Sequence, residues 1–299
     1  MAMFKQVQDE VWAYDIEWVP DVDAGRVLYD LDDESLTDEE IMSVMWQQGG
    51  ASEDNPTPFL KTVMCRIVSI AVVRRKSTSN GVSVDLMSLP KPDEEFSRAT
   101  EREMLRRFLD ALGSRCPQLV GFNSSDSDLK ILIQRAVVHG ISAEQFCARP
   151  DKPWEGVDYF ARGSDWNIDL MRILGGWGKA TPSLHEIAML SGIPGKFGIS
   201  GSDVASMWLR GEGRRIVDYN ECDAITTYLV WLRLAHFGGK FNDSQYEAEQ
   251  ELVRSMLTRL SQDDERSHLR EYLAEWERLT ALVEGRSQHV VAGVSGAVL

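Results

Sequence analysis

Cysteine is scarce in this chain: only 4 of 299 residues, at positions 65, 116, 147 and 222, with no CxxC pair and no histidine-rich neighbour. That spacing supports neither a disulfide framework nor a zinc site. Histidine is equally thin, with 5 scattered residues, and His185 reads as a structural member of a helix rather than a catalyst. Long apolar runs are missing too. The longest, residues 67–73, falls far short of the ~20 residues a membrane span needs. Residues 1–10 mix Lys5, Asp9 and Glu10 with polar side chains, which is not the pattern of a signal peptide. The expectation is therefore a cytoplasmic protein with no membrane partner. Basic residues are outnumbered, 32 Lys and Arg against 47 Asp and Glu, for a net charge of −15. Such a balance is a poor general match to phosphate backbones. The excess is local, however. Residues 21–54 hold eleven acids against Arg26 alone, a charge of −10 that leaves −5 for the rest of the chain. This insertion is expected to be a solvated surface loop, placed to fence a site. A triphosphate-binding loop is also absent. Gly192-Ile193-Pro194-Gly195-Lys196 lacks the first glycine, the hydroxyl residue after the lysine and a preceding strand.

What is present is an alternation of strands and helices. Residues 11–19, 65–75, 82–89, 119–122 and 167–174 are rich in β-branched, aromatic or continuous apolar residues and read as strands. The second and third are joined by a turn at 77–81 as a hairpin. Helices are expected over 100–112, 126–139, 183–190, 202–209 and 214–237, with Ser183 and Glu186 forming a capping box. Three meandering strands followed by alternating elements imply an α/β fold, a mixed five-stranded sheet flanked by helices. The expected domain covers residues 1–240. A C-terminal helical extension over 241–285 carries Leu252, Met256, Leu260, Leu269, Leu273, Trp276 and Leu279, which suit packing on the core, a helical hairpin, a protein partner or self-association. Residues 286–299 lose periodicity and read as a flexible tail.

Three groups of acids carry chemistry. Asp15 and Glu17 are two apart on a strand, so both side chains leave the same face. Their neighbours Trp12, Tyr14, Ile16 and Trp18 look buried, and two carboxylates there incur desolvation unless a cation is present. Asp128 lies where the fourth strand gives way to a helix, after Phe122 and Asn123; Asp126 is assigned to capping that helix and Asp128 to a metal. Tyr219 and Asp223 lie four apart, one turn of a helix, so a phenol and a carboxylate address one ligand. Carboxylates converging from separate elements are what Mg²⁺ or Mn²⁺ takes in phosphodiester cleavage. Asp169, after the fifth strand, reads as a cap or ion-pair partner. Lys196 is a candidate phosphate contact, and Trp18, Phe122 and Trp177 are candidate stacking platforms for terminal bases.

Asp15-x-Glu17, then Phe122-Asn123 with Asp128 five residues on, then Tyr219-x-x-x-Asp223 resemble the three motifs of the DEDD exonucleases, the tyrosine marking the DEDDy branch. The likeness spans roughly residues 11–237 and is greatest to predicted 3′→5′ exonucleases related to the proofreading domain of family-B DNA polymerases. It implies a ribonuclease H-like fold, two divalent metal ions, Mg²⁺ or Mn²⁺, and stepwise removal of nucleotides from single-stranded DNA or RNA 3′ ends, with DNA favoured. Asp15 then bridges the metals, Glu17 and Asp223 complete the site, Asp128 acts partly through water, and Tyr219 positions the attacking water. The family usually places an aromatic residue before the second-motif Asp; this chain has Ser127, and Asp126 is the alternative ligand. The competing readings are a catalytically weak nucleic-acid-binding or scaffolding protein of the same fold and a phosphoesterase acting on small nucleotides.

Overall fold

The computed structural model describes residues 4–152, 154–175, 178, 180–196 and 198–294, without side chains at 284 and 286–294. Five strands form one sheet in the order β3-β2-β1-β4-β5: β1 (Glu10–Pro20), β2 (Cys65–Thr78), β3 (Gly81–Leu89), β4 (Gln118–Gly121) and β5 (Asn167–Asp169). The first three run antiparallel and the last two are parallel to β1. The hairpin and the mixed sheet are as expected. The fold is the ribonuclease H-like α/β arrangement of a mixed five-stranded sheet flanked by helices.

Helices in chain order are α1 (Val22–Tyr29), α2 (Asp38–Gln48), α3 (Glu101–Arg115), α4 (Asp128–Val138), α5 (Glu144–Cys147), α6 (Leu170–Leu174), α7 (Leu184–Leu190), α8 (Val204–Leu209), α9 (Gly213–Phe237), α10 (Asp243–Leu260) and α11 (His268–Val294). Alternation along β1 divides the core. Val11 and Ala13 join Ala71, Val73, Val120 and Ile168 beneath α9, α10 and α11, with Tyr228, Trp231, Met256, Tyr272 and Trp276. Trp12, Tyr14 and Ile16 join Ile70 and Val72 beneath α3 and α4, with Leu105, Phe108 and Leu132. Burial of β2 on both faces explains its continuous apolar run.

The acidic insertion is loop only in part: two helices, α1 and α2, interrupt it. Thr37 and Glu40 form a capping box that starts α2, whose Ile41, Met42 and Met45 are buried. Gly25 of α1 lets α2 approach, because a Cβ there would sit 2.8 Å from Ile41 and Met45. Arg26, the segment's one cation, donates to the carbonyls of Leu31, Asp33 and Leu36. Asp21 is buried and pairs with Arg135, which also binds Glu101. Four of the acids, Asp23, Asp38, Glu39 and Glu40, lie on the outer faces of these two helices, and Asp30, Asp32, Asp33, Glu34, Glu53 and Asp54 are exposed on the connections around them. A second correction concerns residues 167–174, where the strand stops after three residues. The Asp169 carboxylate accepts the Met171 and Arg172 N–H groups and so starts α6, the capping role expected of it. Asp126 does not cap α4. Its carboxylate takes Lys130 at 2.7 Å and Arg172 at 2.9 Å instead.

The C-terminal helices fold back on α9. Arg75 of β2 meets Glu249 of α10 through both Nε and Nη2, and Tyr228 of α9 donates its hydroxyl to the same carboxylate. Glu221 of α9 accepts from Ser88, Arg266 and His268. Helix α11 runs on to Val294, through most of the segment expected as a tail; residues 295–299 lie outside the described residues. Among the described residues no helix is long and apolar enough to cross a membrane.

Candidate metal centre

Asp15 and Glu17 leave β1 on the face covered by α9, and α9 turns Tyr219 and Asp223 toward them. Ligand oxygens of Asp15, Glu17 and Asp223 all lie within 4.8 Å of one another. Glu17 and Asp223 are buried and Asp15 is half-buried. A register shift between Glu17 and Trp18 marks a bulge in the β1–β2 ladder, a feature that re-aims the side chains beside it.

Three carboxylates in so small a volume repel one another and lose their water. Burial, followed by the negative charge of Asp128, Glu17 and Asp223, raises the Asp15 carboxyl well above its usual range. Burial and Asp223 do the same to Glu17. Burial pushes Asp223 up to about 6, with the Tyr219 phenol, Lys196 and His185 opposing the rise. Such a cluster is a poor arrangement of anions by itself and a good one around a divalent cation. The donor set, all hard oxygen, fits Mg²⁺ or Mn²⁺. Tyr219 is buried, and burial with the Asp223 charge keeps its phenol firmly protonated.

Asp128 is near this trio but not part of it. Strand β4 pairs with β1 only as far as Ala13, so further along β1 has a bare edge. There the Ile16 N–H donates to Asp128 Oδ1 at 3.1 Å, and Ser127 Oγ lies 2.5 Å from Oδ2. The Ser127 hydroxyl thus sits between the Asp128 carboxylate and the Asn123 carbonyl, 2.8 Å away. Burial raises the Asp128 carboxyl to about 6, against the Ser127 and backbone hydrogen bonds. Asp126, held by two cations and with its carboxyl lowered by Arg172 and Lys130, is no substitute.

The other sequence candidates fall on different sides. Lys196 lies close enough for its charge to oppose the rise of the Asp15, Glu17 and Asp223 carboxyls. Asn123 takes a left-handed backbone (φ 61°), its N–H donating to Asp169. Phe122 is half-buried against the α9 side of the sheet, and Trp18 is half-buried on the opposite face, with the α3 and α4 cluster. Trp177 lies outside the described residues. His185, set aside on sequence, is close to Asp223 and accepts the Lys196 N–H at Nδ1. Only folding brings it there, and nothing in its local sequence signals it.

A family model described as a predicted 3′-5′ exonuclease related to the exonuclease domain of PolB matches residues 57–276. The chain belongs to that family. The exonuclease match includes Asp128, Lys196, Tyr219 and Asp223, and starts after Asp15 and Glu17. In the exonuclease fold it is β1 that carries those two acids to Asp223. No curated protein matches the chain.

Proposed function

We propose that this protein is a DEDDy-type, metal-dependent 3′→5′ exonuclease that removes nucleotides from single-stranded 3′ ends, with DNA favoured over RNA. The observation that carries the reading is the convergence of Asp15, Glu17 and Asp223 from β1 and α9. Asp15, Glu17 and Asp223 would hold two divalent ions, and Asp128, both of whose oxygens are engaged by the protein, would act through water. Bound ions would supply Lewis-acid stabilisation of charge on the phosphate and lower the pKa of water.

The protein's own groups do the rest. Tyr219 stays a phenol at neutral pH with its proton directed at Asp223, so it orients the attacking water through its oxygen; it is not the base. Asp223, one turn later, accepts from the same water. Lys196 meets the scissile phosphate, and Phe122, Asn123 and Trp18 border the terminal nucleotide. Tyr219→Phe is expected to lower kcat by about 10- to 100-fold, the worth of one hydrogen bond that holds the attacking water in line, with Mn²⁺ affinity unchanged by calorimetry. A fall in Mn²⁺ affinity would assign the phenol to the metal site instead.

The test is incubation with end-labelled single-stranded DNA and RNA in Mn²⁺ or Mg²⁺. Stepwise 3′ shortening is expected, lost in Asp15→Ala and on chelation. Binding of oligonucleotide with no metal-dependent shortening would turn the assignment to a scaffolding protein. Turnover of mononucleotides alone would turn it to a small-molecule phosphoesterase.

A further inference from the structure

Thr226 lies three residues beyond Asp223 on α9, on the same face. Its buried Oγ1 is 3.0 Å from the Pro194 carbonyl and 2.9 Å from the Tyr272 hydroxyl on α11. A carbonyl can only accept, so the single Thr226 proton goes to Pro194, and Thr226 in turn accepts the Tyr272 proton. The relay runs one way, from α11 through α9 into the loop 192–196. Helix α11 also touches the start of that loop: Thr280 Oγ1 lies 3.5 Å from the Gly192 carbonyl, and Gly192 packs on the backbone of Leu279 and Thr280. At the loop's far end the Lys196 N–H donates to His185 Nδ1 at 3.0 Å. A Cβ at Gly195 would sit 2.2 Å from that nitrogen, so only glycine lets the loop lie on the ring.

We propose that α11 is a positioning element of the exonuclease site: the Tyr272–Thr226 hydroxyl pair and His185 clamp loop 192–196 so that Lys196 stands beside Asp223, ready for the scissile phosphate. The inference rests on the exonuclease reading above. Packing alone does not call for it. Two buried hydroxyls are costly unless paired, and this pair is aimed at a loop carbonyl rather than closed on itself. Ordering a loop costs conformational entropy at every residue, so a cation on an unclamped loop would draw that cost from substrate binding. The clamp has this in hand before substrate arrives. It follows that the catalytic domain does not stop near residue 240; the family match, which runs to residue 276 and includes Tyr272, agrees.

Thr226→Val, Thr226→Ser, Gly195→Ala and Lys196→Ala in the full chain test this by hydrogen exchange and by kinetics on single-stranded DNA in Mn²⁺. In Thr226→Val, the amides of residues 192, 193, 195 and 196 are expected to exchange about tenfold faster, and kcat/KM to fall about tenfold, mainly through KM, the size of one buried hydrogen bond. The Mn²⁺-induced rise in Tm should be unchanged. Thr226→Ser should restore both, and Thr226→Val with Lys196→Ala should be no slower than Lys196→Ala alone. Gly195→Ala disturbs the loop from the His185 side without touching the core, and should reproduce the exchange and KM effects even if Thr226→Val does not fold. Unchanged loop exchange in these variants, additive losses with Lys196→Ala, or wild-type KM in Gly195→Ala would overturn the proposal. A wild-type protein that never cuts would overturn the exonuclease reading and the catalytic part of this one, while loop exchange judges the clamp by itself.

Discussion

Asp15→Asn is expected to abolish exonuclease activity while making the metal-free protein more stable. Losing one of three converging carboxylates weakens the hold on the cations that would neutralise charge on the reacting phosphate, an effect of several kcal/mol. At about 1.4 kcal/mol per factor of ten the rate should fall at least about 10³-fold, read as shortening of a labelled single strand in Mn²⁺. The gain in stability has the same origin. Without metal, Glu17 and Asp223 repel Asp15, and asparagine relieves them at nearly constant shape. Carboxylates of the unfolded chain titrate near ~4, whereas burial places Asp223 and Asp128 at about 6 and raises Asp15 and Glu17 as well. Between those values the folded protein holds more protons than the unfolded one. Metal-free stability should therefore fall as pH rises from about 4 through 6 and stay low above. Asp15→Asn should melt higher than wild type at pH 7.5, by about 2–4 °C for each kcal/mol relieved, and lose that lead near pH 4. Mn²⁺ should raise the wild-type Tm at pH 7.5 and much less at pH 5. Equal Tm values for the two metal-free proteins at pH 7.5 would show that the three carboxylates do not oppose one another.

Arg75→Ala is expected to cost about 3–5 kcal/mol, because it leaves Glu249 buried without its cation. Both side chains are about 6% exposed and joined by two-point contact at 2.6–3.0 Å, with Tyr228 as third partner. Against a total stability of about 5–15 kcal/mol this is a large share, and it should move the urea midpoint strongly. The double replacement Arg75→Met with Glu249→Leu should cost much less, since no charge is stranded. The pair ties β2, α9 and α10, so this measurement also asks whether the C-terminal helices unfold with the sheet. Two separate transitions in the wild type would argue that they do not.

Much of this architecture is legible in the sequence because the local signals agree. Residues 11–19 alternate two cores and stop at Pro20, and Ser183 with Glu186 announces α7. The four-residue step from Tyr219 to Asp223 places both on one side of α9. Elsewhere a strong local signal hides a weaker one. The count of acids in 21–54 obscures the capping box at Thr37 and Glu40 and the apolar Ile41, Met42 and Met45 behind it. At Asp169 one side chain decides between strand and helix, and β propensity alone reads past it. Asp128 illustrates a different limit. Its partner, the Ile16 N–H, is 112 residues away and available only because β4 is shorter than β1. Lys196, His185 and Tyr272 belong together through contacts that no spacing in the chain encodes.

The central strand is also the first to be synthesised, and this sets the order in which the site can mature. β1 carries Asp15 and Glu17, but Asp223 lies more than two hundred residues later, and Tyr272 later still. Every other strand can already be paired with its neighbour when those residues emerge from the ribosome. Until α9 emerges, the sheet holds two acids without their third partner, and the carboxylate trio is complete only when α9 closes over β1.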